Sequence, residues 1–179
     1  MNMGFTLIEL VVVICIVAVL AAVLMPRIMY LKREARIGHL NGARGAVHSA
    51  ATLIHSALLT RGGTPDAAPC PGGGGTADNS PLGRGSVCTE HGLIQTQHGY
   101  PASLLPGQAG ILAAAGIGSG FNLDAAALRA EGYVVTVAAG VTTVSRADAP
   151  TPAACSFTYT EPPVARTAAS ISQSVISGC

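Results

Sequence analysis

The sequence predicts an α+β chain: a long N-terminal helix, transmembrane in its first half and amphipathic in its second, packed on an antiparallel β-sheet and stapled by disulfides. Three observations lead there. Leu10 to Met25 contains no charged residue. Apolar and small residues then recur every three or four positions as far as Leu58, the pattern of one buried helical stripe. The remainder is rich in Gly and Pro (22 and 11 in the chain) and carries short β-branched runs and four of the five cysteines.

Composition bounds the possibilities. The 179 residues suffice for one modest domain besides the hydrophobic segment. Net charge is +1 and charged residues make up 11%, so no basic surface draws nucleic acid by bulk electrostatics and none is predicted as a partner. With no Trp and 4% aromatics, the core rests on Ala, Val, Leu and Ile, and stability calls for covalent help.

The elements follow in chain order. Phe5 to Met25 is 21 residues long, within the roughly 17–25 that cross a bilayer as a helix. Residues 26–60 continue that helix, with Ile37, Leu40, Ala43/Arg44, Val47, Ala51, Ile54 and Leu58 forming the stripe. Pro26 lacks the backbone donor and is expected to kink or loosen the helix. Gly38, Gly42 and Gly45 weaken it again or admit a close neighbour, and Arg61-Gly62-Gly63 stops it. Residues 61–179 then form a globular head. Within it, Cys70 to Cys88 is expected to be a flexible loop. Strands are predicted at Gly92–Gln97, Gly132–Ala139 and Cys155–Glu161, the last with Cys155, Phe157 and Tyr159 alternating inward. Leu123–Glu131 reads as a short helix and "SQSVISGC" as a final strand.

Cys15 lies inside the apolar run and is expected to be a small buried hydrophobe. Cys70, Cys88, Cys155 and Cys179 allow three connectivities. Sequence proximity favours Cys70–Cys88 and Cys155–Cys179. A zinc site is the rival, but no CxxC pair exists and the spacings are wide. Disulfides imply an oxidising compartment such as a periplasm or the cell exterior.

Glu9 is the anomaly. A cleaved signal peptide is the ordinary reading of such an N-terminus, and Val19-Leu20-Ala21 offers a passable cleavage site. Yet no basic residue precedes the run, and a carboxylate costs about 2.5–3.5 kcal/mol at a bilayer centre, less near its edge. Such an acid is kept where it has a partner or, more simply, where it caps the positive end of its own helix.

Gly4-Phe5-Thr6-Leu7-Ile8-Glu9, the apolar run and Pro26 together resemble the N-terminus of type IV pilins and pilin-like proteins, as does a cysteine pair closing the C-terminal region. The resemblance implies a pilin fold and a leader, residues 1–4, removed by the membrane-embedded prepilin peptidase between Gly4 and Phe5, with N-methylation of Phe5. It implies that Glu9 of one subunit neutralises the Phe5 amine of the next in an apolar filament core, where either charge alone would cost several kcal/mol. The implied partners are identical or related pilin subunits, the peptidase, the inner-membrane assembly machinery and membrane lipid. The implied location is the inner membrane with the head in the periplasm, then an extracellular filament serving adhesion or motility. "EARIGHLNGARGAVHSAATL", "HGYP" and "CSFTYTEP" are further similar to mannose-sensitive haemagglutinin-type pilins.

The leader "MNMG" departs from the family in length and in lacking Lys or Arg, while Arg27, Lys32, Arg33 and Arg36 follow the span. A positive-inside count alone would put the N-terminus outside. Either translation starts upstream of Met1 or targeting depends on recognition of the span.

No nucleophile elbow, HExxH or carboxylate pair is present, so no catalytic residue, cofactor or metal is expected. His48 and His55 share a helix face, for which solvated or interface positions outweigh a metal site. The Gly-rich loop lacks the Lys-Ser/Thr of a phosphate cradle. The competing roles are a pseudopilin of a type II secretion system and a secreted binding domain with a cleaved signal.

Overall fold

Helix α1 runs from Leu7 to Arg61: an apolar run to Met25 passes through a charged stretch, residues 27–36, into apolar and small residues at helical spacing, and the helix ends only at Gly62. The computed structural model describes residues 6–179, apart from the side chains of Pro26 and Met29. The helix continues through position 26, so the proline does not end it. Gly62 and Gly63 take positive φ, and the Gly62 N–H bonds the Leu58 carbonyl at 3.0 Å. That left-handed stop is one that glycine adopts without side-chain strain. Backbone contacts divide the chain into two compact units, Met1–Arg36 and Ile37–Cys179. The second takes in the rear of α1.

Within that second unit the expected stripe is buried. Leu40, Ala43, Val47, Ala50, Ala51, Ile54 and Leu58 are all nearly inaccessible. Arg44 borders it and donates from Nε to the Ser172 carbonyl at 2.7 Å. Gly38, Gly42 and Gly45 lie on the exposed face with open space around them.

The expected single sheet is two. The first has strands β1 (Arg84–Thr89), β2 (Gly92–Gln97) and β3 (Tyr100–Pro101) in that order. The second is an antiparallel meander of β4 (Tyr133–Ala138), β5 (Val141–Arg146), β6 (Ser156–Thr160) and β7 (Ser170–Ile171). Between them the chain leaves the sheet to form α2 (Ile111–Ala114) and α3 (Ala125–Ala130), which bury Ile111, Leu112 and Leu128. Asp124 caps α3 by accepting from the Ala127 N–H at 2.8 Å. The helix serves both sheets. Leu40, Val47, Ala50 and Ala51 join Val144, Phe157 and Tyr159 in the larger core, and Ile54 and Leu58 join Val87 and Ile94 of the first sheet. Leu58→Ala is therefore expected to cost about 2–5 kcal/mol through the cavity it leaves; a chemical-denaturation midpoint equal to wild type would contradict this packing.

Several local expectations change. The Cys70–Cys88 segment is not all loop, because Arg84–Cys88 belongs to β1, whose small residues conceal it from propensity. The glycine run is seated against the β1–β2 turn: Leu93 N–H bonds the Gly73 carbonyl at 3.1 Å, and a Cβ on Gly72 would collide with the His91 carbonyl carbon. The "SQSVISGC" strand is reduced to one antiparallel bridge between Val175 and Ser156, with β7 lying earlier. The two disulfides join Cys70 to Cys88 and Cys155 to Cys179.

Polar contacts bind these parts. Asn79, wholly buried, donates from Nδ2 to the Thr64 carbonyl at 2.8 Å and to Asp66 Oδ1 at 2.7 Å, and accepts from Arg61 at 3.0 Å. It thereby ties the end of α1 to the disulfide loop. Next to it, burial raises the Asp78 pKa, but hydrogen bonds from the Ser80 and Ser86 amides and the Ser86 hydroxyl outweigh that and hold it below its ordinary value. Between the sheets, Tyr159 donates to the Pro101 carbonyl at 2.6 Å, Thr142 to the Ser103 hydroxyl at 3.0 Å, and the Ser103 N–H to Glu161 at 2.6 Å.

Burial above all, then the Glu161 charge and Tyr100, push the Tyr159 hydroxyl well above the ordinary tyrosine pKa. The folded state therefore keeps this proton where the unfolded chain loses it. Its contribution is complete below the unfolded value of about 10 and declines as pH rises beyond it. Tyr159→Phe is expected to flatten that alkaline decline while costing about 1–3 kcal/mol at neutral pH, because the buried Pro101 carbonyl loses its donor. Melting curves between neutral and alkaline pH check both limbs; parallel pH profiles would contradict the assignment.

Candidate functional site

The first turn of α1 holds the acid that the sequence singles out. The expected processing pair, Gly4 and Phe5, lies outside the described residues. From Thr6 onward the geometry is defined. The Glu9 N–H donates to Thr6 Oγ1 at 3.3 Å, and the Thr6 hydroxyl donates to the Glu9 carboxylate at 3.4 Å. The Leu10 N–H reaches the Thr6 carbonyl at 3.3 Å and opens the helical ladder.

This is a Thr-x-x-Glu capping arrangement, in which the carboxylate answers the cap hydroxyl rather than the cap amide. It satisfies one of the four N–H groups that every helix start leaves open and places a negative charge at the positive end of the helix. The spacing Thr6–Glu9 was the available signal, and Thr6 is the residue that the reading of Glu9 alone leaves out. Both bonds are long and Glu9 stays exposed. Among the described residues Thr6 is its only hydrogen-bond partner, so the carboxylate retains capacity for a cation.

Behind it the helix is apolar on every side. Leu7 is 80% and Val23 70% exposed, and Leu10, Ile14, Val17 and Leu20 are also open. This helix is long and apolar enough to cross a membrane. Cys15 is exposed rather than buried, because the run has no polar face and hence no inner side for a cysteine to occupy. Beyond the run come the cations, with Arg33 paired to Glu34 at 3.4 Å.

Other candidate groups do not converge. His55 stacks on Tyr100 with ring centroids 4.1 Å apart and donates from Nδ1 to the Gly99 carbonyl at 2.9 Å, whereas His48 is exposed. Among the described residues no three of His, Cys, Asp or Glu gather as a metal site would require. The four C-terminal cysteines are consumed by the two disulfides.

What the first turn can do is electrostatic: it presents one anion at the mouth of an apolar rod. No family model, curated protein or solved structure matches the chain.

Proposed function

We propose that the protein is a structural subunit of a type IV pilus-like filament, processed by prepilin peptidase and polymerised through its N-terminal helix. The observation that carries this reading is the stretch Gly4-Phe5-Thr6-Leu7-Ile8-Glu9, which sets a carboxylate at the start of an uninterrupted apolar helix. The same helix becomes the spine of a disulfide-stapled α+β unit, as a filament subunit requires. Cleavage after Gly4 creates a cationic amine on Phe5, and Glu9 of a neighbouring subunit neutralises it in the apolar filament core. The partners are then copies of the chain or related pilins, the peptidase, the inner-membrane assembly machinery and lipid. Before assembly the protein sits in the inner membrane with its head in the periplasm; afterwards it is extracellular. The role is structural, serving adhesion or motility, and no catalysis is proposed.

Mass spectrometry of the mature N-terminus tests this. N-methylated Phe5 is the expected result. A chain beginning near Ala22 would instead identify a secreted domain with a cleaved signal peptide and overturn the proposal. In parallel, Gly4→Leu is expected to leave an uncleaved, membrane-held precursor, because a peptidase that cuts after glycine has little room for a branched side chain; normal cleavage would count against it.

A further inference from the structure

Strand β4 lies at the edge of the four-stranded sheet. It pairs with β5 over six consecutive residues, Tyr133 to Ala138, without a bulge. A strand with one antiparallel neighbour turns alternate N–H and C=O groups away from it. Among the described residues none of these six makes a backbone hydrogen bond outside that ladder. Edge strands are ordinarily blunted by Lys, Pro, a bulge or a covering segment. The sequence YVVTVA has neither a charge nor a proline, and Thr136 and Ala138 are exposed.

The edge is also shaped. A cleft of about 370 Å³ is lined by Tyr133, Val134 and Val135 on one side and by Ala125, Ala126 and Arg129 of α3 on the other. Successive strand residues point to opposite faces of a sheet, so a cleft that touches all three lies along the edge of the strand rather than over one face. On α3, Ala125 and Ala126 stand four and three positions before Arg129, which sets the three on one helical face. The alanines leave room in the slot, and Arg129 brings a cation to it. Its guanidinium has no hydrogen bond or ion pair among the described residues.

We propose that β4 takes up an extended peptide of another protein as an additional strand, with an Asp or Glu of that peptide on Arg129. Main-chain hydrogen bonds to the open edge supply the affinity, and the slot beside α3 supplies the selectivity. An acidic side chain complements the unpaired guanidinium, and a basic one is repelled. A second copy of the chain fits less well, because its own β5 would follow β4 into the space that α3 borders; a single extended segment needs only the slot. The slot lies wholly within residues 37–179, and the proposal is independent of the filament reading.

The test is nuclear magnetic resonance on the full chain in detergent. The probes are terminally blocked octapeptides of alternating Thr and Val with one Glu moved through each position, taken to ~1 mM, where weak single-site binding registers. A matched series carries Lys in place of Glu, and another is N-methylated at every residue. The expected result is saturable shifts in the backbone amides of Tyr133–Ala138 and in the methyls of Ala125 and Ala126 for at least one Glu peptide. The Lys counterpart and the surface variant Arg129→Gln should each weaken that binding about three- to fivefold, the range for an ion pair at a solvent-open site. N-methylation should weaken it on the order of a hundredfold, since about three backbone bonds are lost. Ala126→Leu, which fills the slot from an exposed helix position, should weaken it as well, with the dispersion of the remaining spectrum unchanged. No shift in β4 with any Glu peptide, equal binding of the Lys or N-methylated series, or binding undiminished in both variants would each overturn the proposal. So would β4 shifts that grow with protein concentration alone, which would identify a second copy as the occupant.

Discussion

Glu9→Ala should insert into the membrane, be cleaved after Gly4 and fold its head, yet yield filaments about tenfold or more below wild type, since each 1.4 kcal/mol of assembly free energy is worth about that factor. The argument is electrostatic. In the proposed filament a docking subunit would bring a cationic Phe5 amine into an apolar core, and removing the carboxylate would leave that charge uncompensated. Insertion should become slightly easier, because a charge leaves the segment. Glu9→Asp should fall between the two: it keeps the anion and loses one methylene of reach. Glu9→Gln should behave like Ala, because an amide accepts a hydrogen bond without neutralising a cation. The Thr6 cap separates this from a local effect. Gln can still accept from the Thr6 hydroxyl, so a capping role alone would predict near-normal assembly for Gln and a defect only for Ala. The ratio of sheared filament to membrane-pool subunit distinguishes the cases. Wild-type yield from both Ala and Gln would remove Glu9 from the mechanism.

Replacing Cys155 and Cys179 together by Ala should destabilise the head by about 3 kcal/mol, the loop-entropy expectation for a crosslink of this span; the two lie 24 residues apart. Both residues are buried, and the bridge holds the tail beyond β7, whose other ladder contact is the single Ser156–Val175 pair. Against a typical total of 5–15 kcal/mol, that is a large fraction, and the melting midpoint should fall by roughly 6–12 °C. Subunit abundance should drop before assembly, with peptidase cleavage unaffected. An unchanged midpoint, or a free thiol at Cys179 in the wild type, would contradict the bridge.

What was legible in the sequence follows from how each element is stabilised. The α1 stripe was readable because burial there depends on side-chain size at helical spacing. β2 and β6 were readable because Ile94, Phe157 and Tyr159 alternate inward. β5 was not, although Val141–Arg146 is β-branched, because its hairpin turns on Ala139-Gly140, both at positive φ, where Asn-Gly or Asp-Gly is the usual signal. The β2–β3 turn, at His98-Gly99, is hidden in the same way. β1 was lost because Gly85 and Ser86 are dictated by close contacts rather than by strand propensity. The α3 helix was legible within Leu123–Glu131, but the four-residue α2 was not, being too short to show a helical period, and with it the division into two sheets stayed hidden. At the site, Glu9 was conspicuous for its charge. Thr6 was not, because a threonine before a helix becomes meaningful only with the acid three residues later.

The seam from Leu40 to Leu58 also has a mechanical meaning. It runs along the axis of α1 and engages both cores in turn, while Tyr159 and Thr142 fasten one sheet to the other. Tension entering through the helix therefore loads these contacts in shear, many at once, rather than peeling them one by one. Resistance to forced extension is set by the rate of crossing the unfolding barrier rather than by equilibrium stability. A subunit strung in a pulled fibre would thus hold until the whole seam slips.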